Sequence, residues 1–337
     1  MNDDSPEVLT ALKAVRVASE LCRQVRKDFV SAESILKDDQ SPVTTADFAS
    51  QAILCEMLKE KFPEDVIVAE EDSDELRKPE RSNLLDRVTS YVRQWIPHAS
   101  SREVCSWIDF GSRTAAERYW ALDPIDGTKG FLRNEQYVVA LALVENGIVK
   151  IGILGCPNLY IDQKHPEGEK GCLFLAIRGK GAVLINRANE RKDLKVSSVD
   201  IPSNASLTES VESDHGDHLV NQRLAWTLAI SKPSLKMDSQ AKYGILARGE
   251  AALYLRVPPV SIPPYYEKVW DHAAGSIIVE EAGGKVTDID GQTLDFLSGI
   301  TMGRNRGIFA SNGVLHDLVL RTLTAIQTSD VRLQRPD

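Results

Sequence analysis

Asp123 and Asp126 stand in the stretch WALDPIDGTKGF, residues 120–131, with Pro124 and Ile125 between them and Gly127 and Thr128 directly after. Turn chemistry accounts for Pro124, which fixes φ, and for Gly127, which tolerates backbone geometry that a side chain forbids. It does not account for two acids so close together. Acids in comparable places recur along the chain: Asp47 in the opening turn of a helical pattern, Glu70 with Glu71 and Asp72 at the end of the apolar run VIVA, and Asp271 at the head of WDHAAG. Gathered in one place, so many carboxylates stay ionised only if positive charge enters with them. Hard divalent cations supply it, and an all-oxygen donor set suits magnesium. Two cations bridged by one carboxylate would meet the needs of phosphate ester hydrolysis, where oxygens must be neutralised, a water deprotonated and the leaving oxygen stabilised. Asp123 is then the natural bridge and Asp126 the natural second ligand. Each acid alone reads equally well as a solvated cap or turn residue. His272 follows Asp271 without a histidine or cysteine cluster around it, which favours packing or hydrogen bonding over zinc.

The elements that must position these residues are visible as periodicity. Val8, Leu12, Val15, Ala18, Leu21, Val25 and Phe29 predict an amphipathic helix over 7–29. Thr44 or Thr45 caps a second helix running to about Lys61, with Asp47 in its first turn and Pro63 beyond its end. VIVA at 66–69 is a short strand, Asp74–Asn83 a mobile surface segment, and Leu84–Trp95 a helix. Tyr119–Leu122 predicts a strand that breaks into a tight turn at Asp123. YVVALALVENGIVKIGILGCP and CLFLAIRGKGAVLI are hairpin patterns, so the first half reads as helices on a largely antiparallel sheet. From Leu194 short strands (LKVSSV, SLTESVE, AALYLRV) alternate with helices (HLVNQRLAWTLAI, AKYGILARGE, WDHAAGSIIVEEAGG), the last stopped by Gly283 and Gly284. The prolines of VPPVSIPPYYEK exclude a regular element there. Trp270 reads as core. The boundary between the halves falls between Asn186 and Leu194.

A chain of 337 residues accommodates two domains or one large layered unit. With 40 basic and 49 acidic residues and a formal charge of -9, it repels polyanions, and no basic run offsets that field. A small anion in a focused site remains compatible. Cys22, Cys55, Cys105, Cys156 and Cys172 lack CxxC spacing and read as buried thiols of a reducing compartment. No secretory or transit pattern opens the chain, and no stretch approaches the roughly 20 apolar residues of a membrane span. The expected location is cytoplasmic or nuclear.

VAEED at 68–72, DPIDGT at 123–128 and WDHAAG at 270–275, in that order and separation, resemble the signature of the lithium-sensitive, magnesium-dependent phosphomonoesterases that include the inositol monophosphatases. The resemblance implies an α/β fold layered αβαβα, and the boundary read above divides it into domains at 1–190 and 191–337. It also implies two or three Mg2+ ions and inhibition by Li+. Carried onto this chain, Glu70, Asp123 and the Ile125 carbonyl serve one metal and Asp123, Asp126 and Asp271 the second, with Glu70 helping a weaker third. Asp47 and Thr128 match the pair that activates the attacking water, and Gly127 and Thr128 offer backbone donors to the phosphate. SPVTTAD at 41–47, DSQAKYG at 238–244, LYLRVP at 253–258 and YEKVWDHAAG at 266–275 are similar to one branch, the 3'(2'),5'-bisphosphate nucleotidases. That branch implies removal of the 3'-phosphate of adenosine 3',5'-bisphosphate, with activity on 3'-phosphoadenosine 5'-phosphosulfate. His215 and Gly216 would line the nucleotide pocket, and Ser239, Lys242 and Arg256 would hold the 5'-phosphate or ribose. Other readings are an inositol polyphosphate 1-phosphatase, an inositol monophosphatase, or a metal-dependent nucleotide-binding module without turnover. The expected partner is a small nucleotide bisphosphate, met by a monomer, without nucleic acid or membrane.

Overall fold

The structure is a computed structural model that describes residues 1–28, 35–36, 42–112, 114–162, 167–212, 218–258 and 265–333. Two short strands, β1 (Ile35–Leu36) and β2 (Pro42–Val43), pair with each other. The main sheet takes its strands from β3 (Val66–Ala69), β4 (Gly111–Ser112), β5 (Arg118–Asp126), β6 (Val138–Glu145), β7 (Ile148–Tyr160), β8 (Lys170–Ile177), β9 (Gly181–Ile185) and β10 (Arg191–Asp193). Their spatial order is β10-β9-β8-β7-β6-β5-β3-β4, antiparallel except where β3 meets β4 and β5. A smaller sheet has the order β12-β11-β13-β15-β14, built from β11 (Leu207–Glu209), β12 (Leu235–Lys236), β13 (Leu253–Arg256), β14 (Lys285–Thr287) and β15 (Ile308–Ser311). The helices are α1 (Pro6–Asp28), α2 (Thr45–Lys61), α3 (Ser82–Arg93), α4 (Ser101–Ile108), α5 (Thr128–Arg133), α6 (His218–Thr227), α7 (Ala241–Ala247), α8 (Ala273–Glu281) and α9 (His316–Leu333).

Period-2 alternation along the central strands sends neighbouring side chains into different layers. Trp120, Leu122, Leu141 and Leu143 face α1 and α2, while Tyr119, Ala121, Ala140 and Ala142 face α7 and α8. The same α7–α8 layer meets one face of the small sheet through Tyr254, Val286, Ile308 and Ala310. Leu253, Leu255 and Phe309 point the other way, onto Leu224 of α6 and Val319 and Leu323 of α9. The result is the five-layer αβαβα stack, with β5, α2 and the start of α8 converging near its middle. No helix among the described residues is long and apolar enough to cross a membrane.

Two local expectations need correction. β5 does not stop at Leu122 but continues to Asp126, pairing Asp123 with Ala140 and Asp126 with Val138 across a register shift. Pro124, which has no N–H to give a ladder, sits in that bulge, so the strand bends without ending. LKVSSV is not a strand. Leu194 and Val196 make single backbone bonds to Ala182 and Ala282, which anchor the segment without a ladder. Asp74–Asn83 includes a short 3-10 turn at Pro79–Arg81 and buries Leu76. Pro259, Pro263 and Pro264 lie outside the described residues.

At the head of α9, buried His316 places Nε2 3.0 Å from Thr287 Oγ1 and Nδ1 2.8 Å from Ser311 Oγ, while its ring stacks on Phe309. Burial, helped by Lys285 and opposed by Asp317, lowers its pKa to about 4. A histidine depressed on folding contributes stability that is full above its unfolded pKa, near 6.5, and is lost as pH falls towards 4. The difference in unfolding free energy between wild type and His316→Gln should therefore shrink by roughly 2 kcal/mol between pH 7 and pH 5. Urea titrations that give a pH-independent difference would refute this.

Candidate active site

Helix α2 is buried from Thr45 through Cys55, and its polar side chains brace the loops that carry the acids. Thr44 caps it: the hydroxyl accepts from the N–H groups of Ala46 and Asp47, and Asp47 Oδ2 accepts from Thr44 N at 2.8 Å and Thr44 Oγ1 at 2.5 Å. That reciprocal box fixes the Asp47 carboxylate and turns Oδ1 towards Thr128, whose Oγ1 lies 3.4 Å away. One turn on, Ser50 Oγ donates to the Pro124 carbonyl at 3.0 Å. Gln51 clamps the loop after β3, donating to Glu71 O at 2.7 Å and accepting from Glu71 N at 3.0 Å. A single helix thus sets Asp47, the Asp123–Asp126 bulge and the Glu70 loop against one another.

Within the bulge, Asp123 Oδ1 accepts from Ile125 N at 3.1 Å, and Thr128 Oγ1 lies 3.2 Å from Ile125 O. Gly127 adopts φ +88° ahead of α5, and a Cβ there would lie 3.0 Å from Ser239 Cβ. Glycine is required for both reasons. The segment DSQAKYG presses on this turn: Gln240 N donates to Asp126 Oδ2 at 2.5 Å, and Ser239 itself holds φ +64°. The Gln240 side chain goes on to donate to Trp270 O at 2.9 Å and accept from Gly275 N at 3.0 Å, tying Asp126 to the element that carries Asp271.

The electrostatics follow from this convergence. Burial comes first in pushing the Asp123 carboxyl well above its usual range, and Glu70, Asp126, Asp271 and Asp47 add to it in that order. Asp271 is likewise raised by burial and by Asp126, with Arg256 opposing. Asp126 is raised by burial, against Lys242, the Gln240 N–H and Arg256. Repulsion among oxygens from four chain segments is what a site for hard cations shows before its charge is balanced, so this donor set fits divalent metal. Glu267, Asp271 and His272 also bring ligand atoms within 4.8 Å of one another. Glu267 and His272, however, are engaged in a buried relay: Tyr243 OH to His272 Nδ1 at 2.9 Å, His272 Nε2 to Glu267 Oε2 at 3.1 Å, and Arg256 Nε to Glu267 Oε1 at 2.7 Å. His272 accordingly packs and hydrogen-bonds, as its sequence context predicts, and Trp270 is core.

Lys242 is buried, not an exposed helix charge. Its Nζ donates to Met237 O at 3.2 Å, and burial lowers its pKa to about 8 against the pull of Asp126. Arg256 stands close enough to act on it and keeps a second edge near the Tyr265 hydroxyl, 3.5 Å from Nη2. Ser239 Oγ donates to Asp238 O at 2.6 Å. His215 and Gly216 lie outside the described residues. Sequence reading missed Ser50, Gln51, Gln240 and Glu267 as organisers of the site. Gln240 and Glu267 carried a signal, since they sit inside DSQAKYG and YEKVWDHAAG, motifs already singled out.

Residues 3–328 match the family described as the inositol monophosphatase family. A Schizosaccharomyces pombe protein named 3'(2'),5'-bisphosphate nucleotidase is 41% identical over 96% of this chain and 97% of its own. A Dictyostelium discoideum protein of the same name is 41% identical over 91% and 93%. Among solved structures, an inositol monophosphatase from Anabaena superposes with a TM-score of 0.61 at 24% identity, covering 94% of each chain. A Thermotoga maritima IMPase gives 0.65 at 20% identity over 96% and 99%. Both share the fold of the layered stack above. The chain belongs to the inositol monophosphatase family.

Proposed function

We propose that the chain is a metal-dependent 3'(2'),5'-bisphosphate nucleotidase, releasing the 3'-phosphate of adenosine 3',5'-bisphosphate to leave AMP, with 3'-phosphoadenosine 5'-phosphosulfate as a further substrate. The observation that carries this reading is the seat of Ser239–Lys242 on the Asp126–Gly127 turn, which sets buried Lys242 and half-buried Arg256 beside the carboxylates. Relatives matched over nearly the whole chain bear that enzyme's name. Held by Glu70, Asp123, the Ile125 carbonyl, Asp126 and Asp271, two Mg2+ ions and a weaker third near Glu70 would neutralise phosphate charge, acidify water and stabilise the leaving oxygen. Asp47 Oδ1 accepts the Thr128 hydroxyl proton, which turns a Thr128 lone pair towards a water and aligns it for in-line attack. Backbone N–H groups of Gly127 and Thr128 serve as phosphate donors. Lys242 and Arg256 clamp the 5'-phosphate, with Ser239 beside them. His215 and Gly216 complete the nucleotide contacts in this reading. The chain works as a monomer on a small molecule, without nucleic acid or membrane. Its five buried free thiols support a reducing cytoplasmic or nuclear setting.

Assayed side by side, adenosine 3',5'-bisphosphate should exceed inositol 1,4-bisphosphate and inositol 1-phosphate in kcat/KM, with AMP inert. Lys242→Ala should cut the bisphosphate reaction by about tenfold to a hundredfold and inositol 1-phosphate far less, because remote binding energy is what it removes. Equal losses would assign Lys242 to the common centre, and a wild-type preference for inositol 1-phosphate would overturn the nucleotidase reading. Lithium competing for the same oxygens brings one charge where two are needed. Phosphate release at fixed magnesium should fall across a lithium series, and a flat response would mean a different second site.

A further inference from the structure

Between α1, the end of β7, the start of β8 and the residues after β9 lies a cavity of about 330 Å³, within the range of small-molecule pockets. None of the residues assigned above to metal, water or nucleotide lines it. Its floor is apolar, formed by Val17, Cys156, Cys172, Leu173 and Ile185, and Trp95, 42% exposed, stands beside it. Its charged lining is cationic: Arg16, Arg23 and Arg187 against the one carboxylate of Glu20. Arg23 Nη1 lies 3.5 Å from Glu20 Oε2, with both side chains partly exposed, a geometry that neutralises little. Arg16 engages the neutral side chain of Asn189. In a chain of net charge -9, this concentration of guanidinium groups over an apolar floor runs against the general field.

Close packing of α1 on β7 forms one wall of the cavity. Ser19 Oγ, in the cavity wall, is buried and has no hydrogen-bond partner. It is pressed over Gly155, where a Cβ would fall 2.2 Å from that oxygen and 2.8 Å from Val15 Cγ1. The missing side chain lets α1 settle on β7, with the hydroxyl shut into that seam behind the cavity wall.

We propose that this cavity is a second binding site, for a small organic anion with an apolar body and a single carboxylate, sulfonate or phosphate group. The body lies on Trp95 and the floor, and the head meets Arg23 and Arg187. Nothing in this requires the catalytic reading above, and the site is testable without turnover.

The probe is 1-anilinonaphthalene-8-sulfonate, titrated into the full-length, magnesium-loaded protein by calorimetry and by energy transfer from tryptophan. Neutral N-phenyl-1-naphthylamine is the comparator. One saturable sulfonate site is expected, weakened about tenfold by Arg23→Ala or by Arg187→Ala, with the neutral compound unaffected by either change. Excess AMP should leave the probe bound. Arg187 is exposed, so its variant should keep wild-type phosphate release and certify the fold. Displacement by AMP would place the anion in the phosphatase site and overturn the proposal. So would affinities insensitive to both arginines, or a neutral compound that responds to them as strongly as the sulfonate.

Discussion

Replacing Asp126 by asparagine should abolish most phosphate release while leaving the fold intact. Asp126 Oδ2 accepts from the Gln240 N–H at 2.5 Å, and an amide oxygen can keep that bond, so volume and docking survive and only charge is lost. Loss of one ligand charge that stabilises a transition state by several kcal/mol lowers kcat/KM on the order of a thousandfold. Stability should move the other way. Burial raises the Asp126 carboxyl despite Lys242, the Gln240 N–H and Arg256. A carboxyl raised on folding costs stability above its folded pKa and nothing below its unfolded one. Metal-free Asp126→Asn should thus melt no lower than metal-free wild type at pH 7, and should gain less from added magnesium. Wild-type activity would sink the metal assignment, whereas a large drop in the metal-free melting temperature would make Asp126 a scaffold residue.

What the sequence made legible about this site is uneven, for physical reasons. Thr44 to Asp47 is a local capping signal, complete within four residues, and the structure forms it. VIVA and the hairpin patterns of β6–β7 and β8–β9 are short-range too, and they pair as expected. The end of β5 misled because proline and aspartate ordinarily terminate strands, yet β6 supplies a neighbour that pairs across the bulge at Pro124. LKVSSV alternates like a strand but has no partner for a ladder. Gln51 could not be read at all in its role, and Gln240 only as a member of DSQAKYG. Their amides bond to groups brought near by tertiary packing, Glu71 and Ile108 for one, Trp270 and Gly275 for the other. The acids themselves were legible because their types carry the chemistry. Their bracing was not, since a glutamine is common and its partners lie at least twenty residues away.

That bracing gives the second large effect its logic: Asp47→Asn should slow turnover about a hundredfold to ten-thousandfold, the range for loss of a positioned general base. Asp47 has two oxygens with separate tasks. Oδ2 closes the cap with Thr44, at 2.8 Å from its N–H and 2.5 Å from its hydroxyl, while Oδ1 faces Thr128 Oγ1 at 3.4 Å. Asparagine can satisfy the cap with its amide oxygen, which directs its NH2 at Thr128. A donor then stands where an acceptor stood, the Thr128 proton turns to the Ile125 carbonyl 3.2 Å away, and the lone pair meant for water is taken by the amide. Substrate binding does not pass through this pair, so KM should change little while kcat falls. Thr128→Ala should fall to a similar kcat, and Thr128→Ser, which keeps the hydroxyl, should recover most of it. Combining Asp47→Asn with Thr128→Ala should cost hardly more than either alone, because both changes break the same relay. Additive losses in the double variant would show that Asp47 and Thr128 act separately, and a rise in KM with kcat unchanged would assign Asp47 to the architecture of α2.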